Sequence, residues 1–246
     1  LLAKLQTLYA VIKIFKVKKL SVVVPYRDRP EHLAEFAPAL HEYLTSEGIP
    51  FEITIVNQVD DLLFNRAKLL NVGFLETHQD FDYTAFHDVD MLPTKPNAGY
   101  HYTETGRQVH CPTEYSMGGI SLVNNEVNWK LNGWANSYWG WGGEDRNYCH
   151  RFANKDIPLE ESKGFRKWDW GKDHFRELEG YHDPKRKEFK KPQQKITKNF
   201  TNNPELNNAD GLSNCTYKIL FFSQEDLYNI IDVDLNEDIG NSTAGD

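Results

Sequence analysis

Two groups of residues in this sequence have the types and spacing to hold an anionic, metal-bound ligand. The first is "HDVD", residues 87–90, where Asp88 and Asp90 stand two apart. At the end of a strand that spacing turns both carboxylates to one face. Such a pair suits a hard divalent cation, Mn²⁺ or Mg²⁺, or the hydroxyl pair of a ribose. Alone the string is common, and its ordinary reading is two solvated turn acids. The second group is "PYRDR", residues 25–29, together with Arg66 in "FNRA". A guanidinium is a rigid fork of donors, so Arg27, Arg29 and Arg66 can neutralise a diphosphate or hold a carboxylate. Singly, each arginine reads as a surface ion pair of small worth. Three of them beside two acids point to a nucleoside diphosphate.

A third group, "WGWGGEDRN", residues 139–147, has a different chemistry. Trp139 and Trp141 are flat platforms of the kind a sugar ring packs on, although most tryptophans simply pack in cores. Gly142 and Gly143 let a bulky substrate approach bare backbone and let the loop move. Glu144 and Asp145 open a helix, whose dipole favours an ionised carboxylate. A carboxylate within reach of a ring hydroxyl is a general base. Read with the diphosphate edge, this is a site for sugar transfer from a nucleotide sugar.

The elements around these groups supply a frame. "LSVVVPY" (20–26), "FEITIVNQ" (51–58) and "DYTAFHDVD" (82–90) read as buried strands. "DRPEHLAEFAPALHEYLTSEG" reads as a helix capped by Asp28, and residues 62–77 as a second helix. Alternating strands and helices open a parallel α/β sheet. Ligands of such sheets bind outside the carboxyl ends of the strands, where "PYRDR" and "HDVD" both fall. "MGGISLV" (117–123) and "CTYKILFF" (215–222) read as further strands, and "EDRNYCHRFANK" as a helix. Residues 1–19 place Leu1, Leu5, Leu8, Ile12 and Phe15 on one face, an amphipathic helix that packs on the domain or associates with a second copy. About 160–213 is charged and weakly patterned, the signature of a lid. Residues 236–246 read as a frayed tail.

Composition narrows the partners. The net charge of -8 argues against a nucleic-acid groove. No run of 18 apolar residues offers a membrane span. The three cysteines, Cys111, Cys149 and Cys215, form no CxxC pair, so a zinc site is not expected, and their odd number leaves at least one unpaired within the chain.

The sequence resembles the β1,4-galactosyltransferases, glycosyltransferase family 7. The resemblance is carried in order by "VVVPYRDRPEHL", "VNQVDDLLFNRAKLLNVGF", "DYTAFHDVDMLP", "MGGISLVNNEVNWKLNGWANSYWGWGGED" and "DGLSNCTYKIL", which span most of residues 20–221. The "FHDVDMLP" form is most similar to the branch that adds galactose to xylose in proteoglycan linkers. The resemblance implies an α/β GT-A (Rossmann-like) fold, with a single mixed central sheet flanked by helices over residues 20–235. It implies an inverting, metal-dependent transfer with Asp145 as catalytic base and Asp90 as metal ligand. By the family pattern Pro25, Tyr26, Arg27, Arg29, Phe64, Arg66, Asp88 and Val89 line the UDP-sugar donor. Trp141, Gly142, Gly143 and Glu144 meet the sugars, Trp141 contacting donor and acceptor alike. The family's remaining metal ligands correspond to Glu179 and to His182, which the "HDP" string favours, or alternatively to His174 in "KDHFRE".

Three departures from the family pattern bear on the substrate. Arg146 replaces an acid that helps to choose the acceptor, and would either face a carboxylate on an acidic sugar or point to solvent. Ser116 replaces a tyrosine of galactose-transferring members, which opens room for an N-acetyl group and makes UDP-GalNAc a donor beside UDP-Gal. Glu179 stands where the family has Met, which hardens the metal site toward Mn²⁺ or Mg²⁺. The acceptor is a glycan of a proteoglycan, glycoprotein or polysaccharide. The cysteines do not match those of the vertebrate enzymes, which leaves a Golgi lumen or a microbial cytoplasm or membrane surface as the compartment. Two alternatives stand beside the transferase. One is a non-catalytic sugar- or UDP-binding module on the same fold. The other is a nucleotidyltransferase, disfavoured because no glycine-rich, lysine-bearing loop follows the first strand.

Overall fold

The computed structural model describes residues 17–160, 174–179 and 186–236. Residues 1–16, His182 and the tail from 237 lie outside the described residues, and with them most of the expected N-terminal helix. The fold begins with β1 (Leu20–Tyr26), whose seven residues are all buried. Parallel strands covered on both faces read as unbroken apolar runs, and "LSVVVPY" is one. Val22 and Val24 point into one core cluster and Val23 into the other, as the two-residue period of a strand requires. Helix α1 (Pro30–Ser46) covers the first face with Leu33, Phe36, Ala37, Leu40 and Leu44. Asp28 does not cap it. The N-cap position is Arg29, without a side-chain cap, and Asp28 is exposed with φ 52°. Pro30 in the first turn has no N–H to cap.

Strand β2 (Phe51–Gln58) pairs parallel with β1, and helix α2 (Arg66–Thr77) returns across the second face. The helix starts at Arg66, four residues later than the sequence pattern suggests. Asn65 sets the start by accepting a hydrogen bond from the Lys68 N–H at 2.9 Å. Gly73 lets α2 sit directly on the sheet, since a β-carbon there would stand 2.2 Å from Val23 Cγ1. Strand β3 (Tyr83–His87) lies parallel on the other side of β1. The carboxyl ends of β1, β2 and β3 therefore share one edge.

The rest of the chain completes the sheet and walls that edge. A ribbon of β4 (Met91–Pro93) and β8 (Phe175–Glu177) stands apart from the main sheet. Strands β5 (Gly106–His110), β6 (Ile120–Asn124) and β7 (Leu159–Glu160) extend the main sheet beyond β3. Helices α3 (Asn125–Leu131) and α4 (Glu144–Asn154) close the second core cluster with Val127, Leu131, Tyr148 and Phe152. Strands β9 (Lys218–Gln224) and β10 (Asn229–Asp234) finish the other side, giving the order β7-β5-β6-β3-β1-β2-β10-β9. Strand β10 is parallel to β2, and β9 antiparallel to β10. The architecture is the expected mixed central sheet with flanking helices, joined by the small β4–β8 ribbon.

The described part of the charged stretch at 160–213 has regular structure that the sequence reading did not assign. It contains a 17-residue helix, α5 (Arg186–Asn202), and the short α6 (Leu206–Ala209). Helix α5 is held by the Gln193 amide, which donates to the Trp139 carbonyl, and by Phe200, stacked on Tyr138 at 6.0 Å. Gln193 and Phe200 are its buried residues among those described, with Ile196 and Thr197 half-buried, so its apolar face is thin. All three cysteines are free. No helix among the described residues is long and apolar enough to cross a membrane.

Candidate active site

The edge shared by β1, β2 and β3 gathers the predicted carboxylates and arginines. Both aspartates lie just past the end of β3, and each is taken by a different arginine. The Arg66 Nε donates to Asp88 Oδ1 at 2.7 Å, and the Arg29 Nη1 donates to Asp90 Oδ2 at 2.9 Å. The Asp88 N–H donates to the Gly119 carbonyl at 3.0 Å, which pins the turn to the start of β6. Gly119 has φ 77°, and a β-carbon there would lie 2.3 Å from the His110 carbonyl, so the turn demands glycine.

Arg66 also reaches across to α4. Its Nη1 lies 3.8 Å from Glu144 Oε1, and its guanidinium stands 5.2 Å over the ring of Trp134. Among the described residues, both Arg66 Nη atoms and Glu144 Oε2 are buried and find no hydrogen-bond partner. Burial pushes the Glu144 carboxyl up to about 7, helped by the neighbouring Asp145 charge and opposed by Arg66. Burial and the Asp88 charge likewise raise the proton affinity of Asp90, against the pull of Arg29. Asp145, beside Glu144 in the first turn of α4, is half-buried. Its Oδ2 accepts from the Ser116 hydroxyl at 2.5 Å and its Oδ1 from the Arg146 N–H at 2.8 Å.

Other predicted residues have different surroundings. Arg27 is bound into the loop after β2, donating to the carbonyls of Gln58, Leu62 and Asp60. Its guanidinium lies 5.9 Å from the Phe64 ring centre. Val89 is 3% exposed in the apolar core, so only its backbone can meet a ligand. Pro25 and Tyr26 are buried, with the Tyr26 hydroxyl accepting the Arg29 N–H at 3.1 Å. Ser116 is buried, whereas Trp141 and Arg146 are exposed. Apart from its chain neighbours, no heavy atom of the described residues lies within 4 Å of where a Gly142 β-carbon would be, and Gly143 caps α4 with φ 98°.

The Leu178 N–H donates to the Asp90 carbonyl at 2.6 Å, which brings the exposed Glu179 beside the Asp90 turn. A cleft of about 700 Å³ opens there, lined by Arg29, His32, Arg176 and Glu179 among others. Among the described residues no group of three or more His, Cys, Asp or Glu side chains is disposed to hold a metal ion. The Asp90 carboxylate at this turn is the kind of hard oxygen donor that Mn²⁺ or Mg²⁺ takes.

Sequence reasoning missed several supports of the site. His87 is fully buried and its proton affinity falls to about 4 because of that burial. Its Nδ1–H donates to the Asp88 carbonyl at 2.8 Å, leaving Nε2 to accept from the Tyr100 hydroxyl at 2.7 Å. Trp134, beneath Arg66, and the Ser116 hydroxyl on Asp145 were equally hidden. A lone tryptophan or serine carries no spacing signal.

Two family models match the chain: the N-terminal region of glycosyl transferase group 7 over residues 6–103, and the N-terminal domain of galactosyltransferase over residues 100–168. The xylosylprotein 4-beta-galactosyltransferase of Caenorhabditis elegans is 34% identical over 211 residues, covering 82% of this chain and 71% of that protein. The chain belongs to glycosyl transferase group 7. Beta-1,4-galactosyltransferase 7 of Mus musculus is also 34% identical, over 82% of this chain. The chain spans 62% of that mouse protein's length. Among solved structures of the group, a mutant of Drosophila beta-1,4-galactosyltransferase 7 in complex with manganese, UDP-Gal and xylobiose superposes with a TM-score of 0.72. It is 30% identical, and the match covers 89% of this chain and 95% of that one. The GT-A expectation agrees with this likeness.

Proposed function

We propose that this chain is an inverting, metal-dependent glycosyltransferase. It moves galactose or N-acetylgalactosamine from a UDP donor to a sugar hydroxyl, forming a β1,4 linkage. The observation that carries the reading is the meeting of Asp145 with the Arg66–Asp88–Glu144 network at the edge where the parallel strands end. Relatives named as galactosyltransferases, and a related structure that holds UDP-Gal, manganese and xylobiose, support the donor, the metal and a xylose-type acceptor. Residues 20–235 form the catalytic domain in this reading, with 1–19 and 236–246 as appendages.

The side chains divide the work. Arg29 and Arg66 each sit on a carboxylate, so an incoming diphosphate exchanges one anionic partner for another. Pro25, Tyr26, Arg27 and Phe64 wall the uridine, and Asp88 and the Val89 backbone run along the donor. Asp90, His182 and Glu179 hold the cation. Mn²⁺ or Mg²⁺, when bound, neutralises charge on the leaving diphosphate. The raised proton affinity of Asp90 fits that role, because a cation would favour its ionised form.

The exposed Trp141, with Gly142, Gly143 and Arg146, receives the acceptor, and Glu144 holds a sugar hydroxyl. Asp145 takes the proton of the attacking hydroxyl. The hydroxyl oxygen bonds to the anomeric carbon while the bond from that carbon to UDP breaks on the opposite face, so the configuration inverts.

The test compares Mn²⁺-dependent transfer from UDP-Gal and UDP-GalNAc onto xylosides, N-acetylglucosaminides and glucuronides. Asp145→Asn should lose transfer by roughly a thousandfold or more while UDP binding stays intact. Near-normal turnover in that variant would end the assignment of the base. UDP binding without turnover by the unaltered chain on every acceptor would return the non-catalytic module.

A further inference from the structure

The Ser116 hydroxyl stands 2.5 Å from Asp145 Oδ2. The direction of that bond follows from its neighbour. The Gly118 N–H, which can only donate, reaches Ser116 Oγ at 3.1 Å. The serine oxygen is the acceptor there, and its own proton is left for the carboxylate. The serine is also fixed in place. Its N–H donates to the Thr113 carbonyl at 3.1 Å, and its carbonyl accepts from Gln108 Nε2 at 2.5 Å. That same amide reaches the carbonyls of Thr113 and Glu114, so one side chain staples the whole turn before β6.

The turn is tied to the base a second time. The Met117 N–H donates to the Asp145 carbonyl at 3.1 Å, joining its main chain to α4. Room for the pair depends on Gly118. A β-carbon at that position would lie 3.3 Å from Asp145 Cβ, Asp145 Oδ2 and Ser116 Oγ at once. With Oδ2 on the serine and Oδ1 on the Arg146 N–H, each carboxylate oxygen has one fixed donor and keeps acceptor capacity free.

We infer that Ser116 is a positioning residue for Asp145: its buried hydroxyl holds the carboxylate in one rotamer with its free acceptor capacity turned to the sugar hydroxyl. The inference rests on the reading of Asp145 as base. It gives Ser116 a role separate from the room its small side chain leaves for the donor.

The split between kcat and KM tests this. Ser116→Ala should lower kcat by about tenfold, the scale expected when a charge-assisted hydrogen bond is lost, and should change the KM for donor much less. Ser116→Thr keeps the hydroxyl and should restore the native kcat. Metal-dependent UDP binding, measured on each variant, reports whether the fold survives. If Ser116→Ala does not fold, Ser116→Cys, with its weaker donor, should give an intermediate loss of kcat. A native kcat in a Ser116→Ala variant that still binds UDP would overturn the inference. Asp145→Asn, assayed alongside, separates the two readings. If that variant keeps turnover, the base assignment is wrong. If it is inactive while Ser116→Ala keeps the native kcat, only the positioning role is lost.

Discussion

Glu144 concentrates the electrostatic tension of the site in one side chain. It is 9% exposed, lies beside a second acid and leans on Arg66, and burial wins over the arginine. Between its ordinary value near 4.5 and about 7, the folded chain holds a proton that the unfolded chain has released. The contribution to stability is full below 4.5 and is lost as pH rises through 7. Asp90 acts in the same sense. Urea denaturation of Glu144→Gln against the unaltered chain should therefore show little difference at pH 5 and a more stable variant at pH 8. Parallel pH dependence in the two proteins would contradict this account. The charged residues of the site were legible because their chemistry is in their type. What they touch was not. Arg27 spends its donors on carbonyls of its own loop, Val89 faces the core, and Ser116 binds the base.

Helix α2 shows how an element carries a site residue. Arg66 is its first residue, so any tilt of the helix moves the guanidinium on Asp88. Gly73, two turns later, sets that tilt. Gly73→Ala would drive a methyl group into Val23 and Val56 and should cost about 1–3 kcal/mol, read as a lower denaturant midpoint with an unchanged slope. It should also weaken UDP binding, although the glycine lies among core side chains. A variant of native stability would mean that the sheet yields where the packing implies it cannot. The first helices and strands were readable because "LSVVVPY" and "FEITIVNQ" are unbroken or alternating apolar runs between turn signals. The start of α2 was misjudged because Leu62 and Leu63 look like its apolar face, yet they are exposed at 39% and 50%. Helix α5 escaped because tertiary contacts to Tyr138 and Trp139, rather than its own pattern, hold it.

At the scale of the whole molecule, the described residues build an eight-stranded main sheet and a two-stranded ribbon, with the chemistry at one edge of the main sheet, and the alternation of early strands and helices indicated that edge. The order of the later strands was beyond sequence reasoning. "NIIDVD" shows an alternation that fits many places, and nothing local says that it belongs beside β2. Yet Asn57 and Asp232 share a hydrogen bond across 175 residues of chain. Closing so long a loop costs entropy before any contact repays it, so this pairing should form late. A newly made chain emerging from the ribosome has β1, β2 and β3 long before β10 exists. Until residue 234 has cleared, β2 is an open edge with its backbone groups unpaired, the kind of template on which wrong partners assemble. Resistance to protease in stalled nascent chains should therefore rise only when β10 and β9 are free to dock. A chain arrested at residue 228 should remain cleavable, with its Arg66 and Asp88 already synthesised and unable to hold a donor.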